Sequence, residues 1–143
     1  MAEIIGGEIP SRRPRILLAD DHQLVLERVS TLLQSKYEIV GVAHDGLEMV
    51  SQAVRLAPDV IVADISMPGS GGIEALHRLR EMGAKPRVVF LTIHTEPEFV
   101  DACLAEGALG YVTKSSMKTD LVPAIEAALC DRSYVSSTGL ARY

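Results

Sequence analysis

The chain has few cysteines, no long apolar run and no basic excess, and each shortage removes a class of protein. Only two cysteines occur. Cys103 and Cys130 match no metal-ligand spacing and fall in apolar helical patterns, so they read as small hydrophobes in a reducing compartment. A disulfide-stapled secreted module is excluded. No apolar stretch approaches the roughly 20 residues that a membrane-spanning helix needs. The first residues, MAEIIGGEIPSRRPR, lack the charged start and apolar stretch of a secretory leader. A cytoplasmic protein with no membrane partner is the expectation. A formal net charge of −5 argues against a dedicated nucleic-acid surface, which would be basic. Arg12, Arg13 and Arg15 form the basic cluster, read as a solvated N-terminal arm. No internal repeat or low-complexity tract is present.

What is there is one domain's worth of apolar sequence in short pieces. Hydrophobic residues make up 48% and charged residues 23% of the 143 positions, enough to bury a core without disulfide or structural metal. Runs at 16–19 (ILLA), 39–42, 60–63 (VIVA) and 88–91 (VVFL), with a weaker one at 110–113 (GYVT), are almost continuously apolar. Such runs suit strands covered on both faces of a parallel sheet. Between them Val25, Val29, Leu32 and Leu33 form one helical stripe, and Ile73, Leu76 and Leu79 another. Asp45 with Glu48, and Thr95 with Glu98, have capping-box spacing, and Pro97 suits a first helical turn. The last helix carries Leu121, Ile125, Ala128 and Leu129, with Pro123 expected near its start. Strand and helix alternate five times, which predicts a doubly wound five-stranded parallel sheet. Residues 1–14 are expected as a flexible extension, 15–130 as the domain and 131–143 as a linker.

In such sheets ligands collect at the carboxyl ends of the strands, where strand order reverses. The first predicted strand ends in Asp20 and Asp21, the third in Asp64, the fourth in Thr92 and the fifth in Lys114. Each has an ordinary reading: a helix cap for Asp20 and Asp21, a turn cap for Asp64, a strand end for Thr92, a solvated charge for Lys114. Their coincidence at one rim favours a site. Clustered carboxylates repel and call for a hard cation, Mg2+ above others. An aspartate beside such a cation can act as a nucleophile toward phosphorus, with a lysine and a hydroxyl stabilising the transferred group.

The motifs ILLADD, PDVIVADISMPGSGGIE, VVFLT and EGALGYVTK, in that order and spacing, resemble the receiver domain of two-component response regulators, from about Arg15 to Leu129. The resemblance implies a flavodoxin-like (βα)5 receiver fold and a phosphoryl group taken from a sensor histidine kinase. It makes Asp64 the phosphoacceptor. Asp21, Asp64 and the backbone carbonyl of Ser66 would bind Mg2+ directly, and Asp20 through a water. Thr92 becomes the switch hydroxyl, Lys114 the phosphoryl-binding lysine, and Tyr111 the aromatic that turns into space vacated by Thr92. Thr92 and Lys114 are expected near the site but partly solvated, and Tyr111 half-buried. LTIHTEPEFV, the non-proline after Lys114 and the SYVS sequence further resemble receivers that precede a LuxR-type helix-turn-helix domain. DNA contact would then belong to a domain outside this chain, and homodimerisation on phosphorylation would be the output.

Several residues depart from that pattern. Ser115 stands where proline is common, and Ile93, where a small residue is common, is expected to narrow access to the phosphoryl group. Ser66 and His94 fill the variable positions flanking the site; His22, His44 and His77 show no mutual ligand spacing and receive no role. Two other functions fit less well. A Mg2+-dependent phosphohydrolase would want a second acid two residues after Asp64, where Ser66 stands, and a receiver-shaped module that is never phosphorylated would not need every site residue.

Overall fold

The computed structural model describes residues 12–136. Each apolar run becomes a strand because both of its faces are covered: β1 (Arg15–Ala19), β2 (Glu38–Ala43), β3 (Val60–Ala63), β4 (Val88–Thr92) and β5 (Gly110–Thr113). Helices α1 (Gln23–Leu33), α2 (Gly46–Leu56), α3 (Gly72–Glu81), α4 (Pro97–Ala105) and α5 (Met117–Leu129) alternate with them. The sheet is wholly parallel, and it has six strands where five were expected. β6 (Tyr134–Val135) pairs with β5, giving the order β2-β1-β3-β4-β5-β6. It lies in the stretch expected as linker, and two residues are too few to display an apolar period. Residues 1–11 and 137–143 of the expected extension and linker lie outside the described residues.

Alternate strand residues serve opposite faces, as a period of two dictates. Ile16, Leu18, Val62 and Val89 pack with α1 and α5, while Leu17, Ile61, Val88 and Phe90 pack with α2, α3 and α4. The core is therefore two apolar layers separated by the sheet.

Local details correct three expectations. Asp45 caps α2 by accepting the Glu48 N–H at 2.8 Å, but the box from Thr95 does not form. Pro97 takes the first helical position of α4 and holds Glu96 extended, so Glu96 is the cap residue. Pro123 lies inside α5, not near its start, because the helix begins at Met117. An interior proline costs about 3 kcal/mol; burial of Leu121, Ala124, Ile125 and Ala128 on one face offsets it. The basic cluster is no free arm either. The Arg13 guanidinium donates to the Gln34 carbonyl at the end of α1, and Arg15 donates to Leu56 and Ala57 at the end of α2. Both satisfy carbonyls that a helix end leaves unpaired.

Candidate functional site

β2 lies on one side of β1 and β3 on the other, so strand order reverses at β1 and a crevice opens above the carboxyl ends of β1 and β3. The sheet ladder continues just past both strands: Asp20 N–H donates to Ala43 and Asp64 N–H to Ala19. This fixes the two aspartates side by side. Gly72 makes room for Asp64 from below, since a Cβ there would sit 2.2 Å from the Asp64 carbonyl oxygen. No sequence spacing had singled it out.

Asp20 and Asp64 are each only 4% exposed. Lys114, arriving from the end of β5, bridges them, with Nζ 2.9 Å from Asp64 Oδ2 and 3.0 Å from Asp20 Oδ2. Burial opposes the lysine charge, but hydrogen bonds to Asp64 and Asp20 prevail and hold its pKa above the ordinary value. With Asp21 the rim carries three carboxylates against one ammonium. Ligand atoms of Asp20, Asp21, His22 and Asp64 all lie within 4.8 Å of one another. That donor set suits a hard divalent cation, which would neutralise the excess.

His22, given no role from the sequence, belongs to this cluster. Its N–H donates to Asp20 Oδ1 at 2.9 Å, and its ring Nδ1 lies 3.1 Å from Asp20 and 3.2 Å from Asp21. Adjacency to the two aspartates was its only signal. Asp20 is thus not a cap of α1; the N-cap of that helix is His22 itself.

Thr92 and Tyr111 meet through the backbone of His94. The Thr92 hydroxyl accepts the His94 N–H at 3.3 Å, and the Tyr111 hydroxyl donates to the His94 carbonyl at 2.8 Å. Thr92 and Tyr111 are both fully buried, which corrects the partly solvated and half-buried expectations. Burial foremost, helped by surrounding negative groups, raises the Tyr111 pKa above the ordinary phenol value. The His94 ring hydrogen-bonds Ser66 Oγ at 3.0 Å and stacks on Phe99 at 4.2 Å. Ile93, expected to narrow access to the phosphoryl group, is 72% exposed. No described peptide bond is cis, that between Lys114 and Ser115 included; a single 3-10 turn, Lys114–Ser116, leads into α5. Of the cysteines, Cys103 is buried as expected, its thiol pushed up to about 12 by burial, whereas Cys130 is exposed.

The profile of the response regulator receiver domain family matches residues 16–126. Response regulator GacA of Pseudomonas viridiflava is 36% identical over 124 residues, covering 85% of this chain and 58% of that protein. A two-component response regulator of the LuxR family from Aurantimonas sp. SI85-9A1 is 37% identical with a TM-score of 0.85, covering 92% of this chain and 94% of its own. The signal receiver domain of the response regulator NarL from Mycobacterium tuberculosis gives a TM-score of 0.81 at 31% identity, covering 85% and 100%.

Proposed function

This chain belongs to the response regulator receiver domain family of two-component systems, and on that premise we propose that Asp64 is its phosphoacceptor. Receiver domains are switches rather than enzymes, bind Mg2+ at an acidic pocket and interact with histidine kinases. The observation that carries the assignment is the bridge of Lys114 to both Asp64 and Asp20. It supports Lys114 as the cation that would meet a phosphoryl oxygen on Asp64. Asp64 Oδ attacks phosphorus as the bond from phosphorus to the kinase histidine nitrogen breaks, and that nitrogen leaves with the electron pair. Lys114 then turns from the carboxylates to the phosphoryl oxygens. In this way the domain assists its own phosphorylation.

Asp21, Asp64 and the Ser66 carbonyl would hold Mg2+ directly and Asp20 through a water; the ion supplies charge neutralisation to the transferring group. Thr92 donates to the phosphoryl group and so releases the His94 N–H. Tyr111 is already buried with Thr92 in place, so phosphorylation shifts a population toward that packing and does not create it. Ser66 stands two residues after Asp64, where a phosphohydrolase would want a second acid, and this favours a switch. The output is a change in protein contact, dimerisation foremost, in a cytoplasmic regulator. Because the chain spans 58% of GacA's length, control of transcription through a DNA-binding domain elsewhere in a longer protein is part of the same proposal. The folded unit is taken to run from residue 15 through β6. Among the described residues no helix is long and apolar enough to cross a membrane.

Acetyl phosphate with Mg2+ should add one phosphoryl group by intact mass, and Asp64→Asn should remove the effect; stoichiometric labelling of that variant rejects the assignment. Isothermal titration should show Asp21→Ala weakening Mg2+ more than Asp20→Ala does, and the reverse order would exchange their roles. Phosphorylated or not, residues 1–143 should not retard a DNA duplex in a mobility-shift assay at roughly physiological salt.

A further inference from the structure

We propose that Asp120 is a positioning residue for the switch: by clamping β6 to the edge of β5, it holds Tyr111 in the buried place that phosphorylation favours. The inference rests on the roles of Asp64 and Tyr111 given above. Asp120 lies in the first turn of α5, and both of its oxygens are spent on the segment that follows that helix. Oδ1 accepts the Tyr134 hydroxyl at 2.9 Å, and Oδ2 accepts the Ser136 hydroxyl at 2.8 Å. Ser136 is fully buried, and its N–H donates to the Tyr111 carbonyl at 2.7 Å. Val135 is the register partner of Tyr111 and packs in the same apolar layer, on the side of α4. The Arg87–Asp131 ion pair, 3.0 Å, pins the turn between α5 and β6.

Tyr111 is therefore held at its backbone by Ser136 and at its hydroxyl by His94, with Val135 beside it in the register. No phosphoryl group is needed for this arrangement. A strand of two residues is far shorter than the usual ~5–6 and is unstable by pairing alone, so the Asp120 clamp supplies what the ladder lacks. Where β6 and buried Tyr111 favour each other, and phosphoryl loading and buried Tyr111 do likewise, linkage is reciprocal. Loading must tighten β6, and loosening β6 must weaken loading.

Beryllofluoride with Mg2+ serves as the phosphoryl probe, on the whole 143-residue chain. Loading should slow amide hydrogen exchange at Ser136. Asp120→Ala should weaken beryllofluoride binding about fivefold, the small end of allosteric couplings, while Mg2+ affinity alone stays unchanged. Asp120→Asn, which keeps one oxygen acceptor, should recover part of the loss; a merely structural role would lower the melting temperature without this split. Should Asp120→Ala fail to fold, Ser136→Ala gives the same reading with the Tyr134 contact intact. Wild-type affinity in the variant, or Ser136 exchange indifferent to loading, overturns the clamp and leaves Asp64 standing. A wild-type chain that takes no beryllofluoride overturns the functional reading and the clamp with it.

Discussion

At the carboxyl rim of the sheet, Lys114 Nζ sits 2.9 Å from Asp64 and 3.0 Å from Asp20. Between α3 and the end of α4, Glu106 Oε2 sits 2.9 Å from both His77 Nδ1 and Arg80 Nη1. The distances match, but the surroundings do not. The rim side chains are 5–12% exposed, whereas those of His77 and Arg80 are about half exposed. In water a pair of this length contributes about 0–1 kcal/mol, and screening by salt reduces it further. Away from water the same charges interact far more strongly, and an unbalanced set is correspondingly costly. The α3–α4 cluster, with two potential cations around Glu106, is ordinary surface. The rim, with carboxylates in excess, is not balanced for stability, and that imbalance supports the function proposed for it.

Lys114→Ala should break the comparison most visibly. It leaves Asp20 and Asp64 adjacent, buried and without their cation. The expected cost in the absence of metal is about 2 kcal/mol, below the ~3–5 kcal/mol for a fully buried pair because water can enter at the rim. That is a fall of roughly 8 °C in melting temperature, larger than a solvated lysine would give. Mg2+ should restore most of it by neutralising the same carboxylates. The raised pKa means that the lysine's contribution is complete below its ordinary value and is lost only as pH rises through the folded one. The effect should therefore be flat across neutral pH. A variant that melts like wild type without metal would show that the rim is as solvated as the surface cluster.

Thr92→Ala sharpens the contrast at smaller scale. The threonine is fully buried, and its loss leaves the His94 N–H without its acceptor. About 1 kcal/mol should be lost, and Thr92→Ser, which keeps the hydroxyl, should recover part of it. No change on thermal melting would mean that water already serves His94.

Much of this arrangement is legible in the sequence, for definable reasons. The runs VIVA and VVFL are β-branched and apolar on both faces, so parallel strands followed, and the carboxyl-end rule then gathered Asp20, Asp21, Asp64, Thr92 and Lys114. What escaped was whatever depends on backbone path rather than pattern. His22 joins the acids because the chain turns after Asp21. β6 shows no period in two residues. Arg13 and Arg15 cap helix ends that are distant in sequence. Tyr111, expected half-buried, has Val135 of β6 as its register partner, in the stretch expected as linker.

His77→Gln should give the smallest effect, confined to one pH window. The His77 pKa is raised, first by its hydrogen bond to Glu106, then by the charges of Glu106 and Glu81. The Glu106 pKa is lowered, first by the hydrogen bond from His77, with Arg80 assisting. A raised histidine contributes fully below its ordinary value of ~6.5 and loses that contribution as pH climbs through the raised one. A lowered glutamate contributes above its ordinary value and loses that contribution as pH falls through the lowered one. The pair therefore stabilises the fold in mildly acidic solution and stops doing so once His77 is neutral. Melting temperatures of wild type and His77→Gln should differ slightly below the ordinary histidine value, converge as pH rises through the raised one, and converge at all pH in high salt. Arg80 stays on Glu106 in both proteins, so the difference belongs to the histidine charge. A gap that persisted at the alkaline end would mean that His77 acts by packing, and that this cluster is less like open surface than its exposure says.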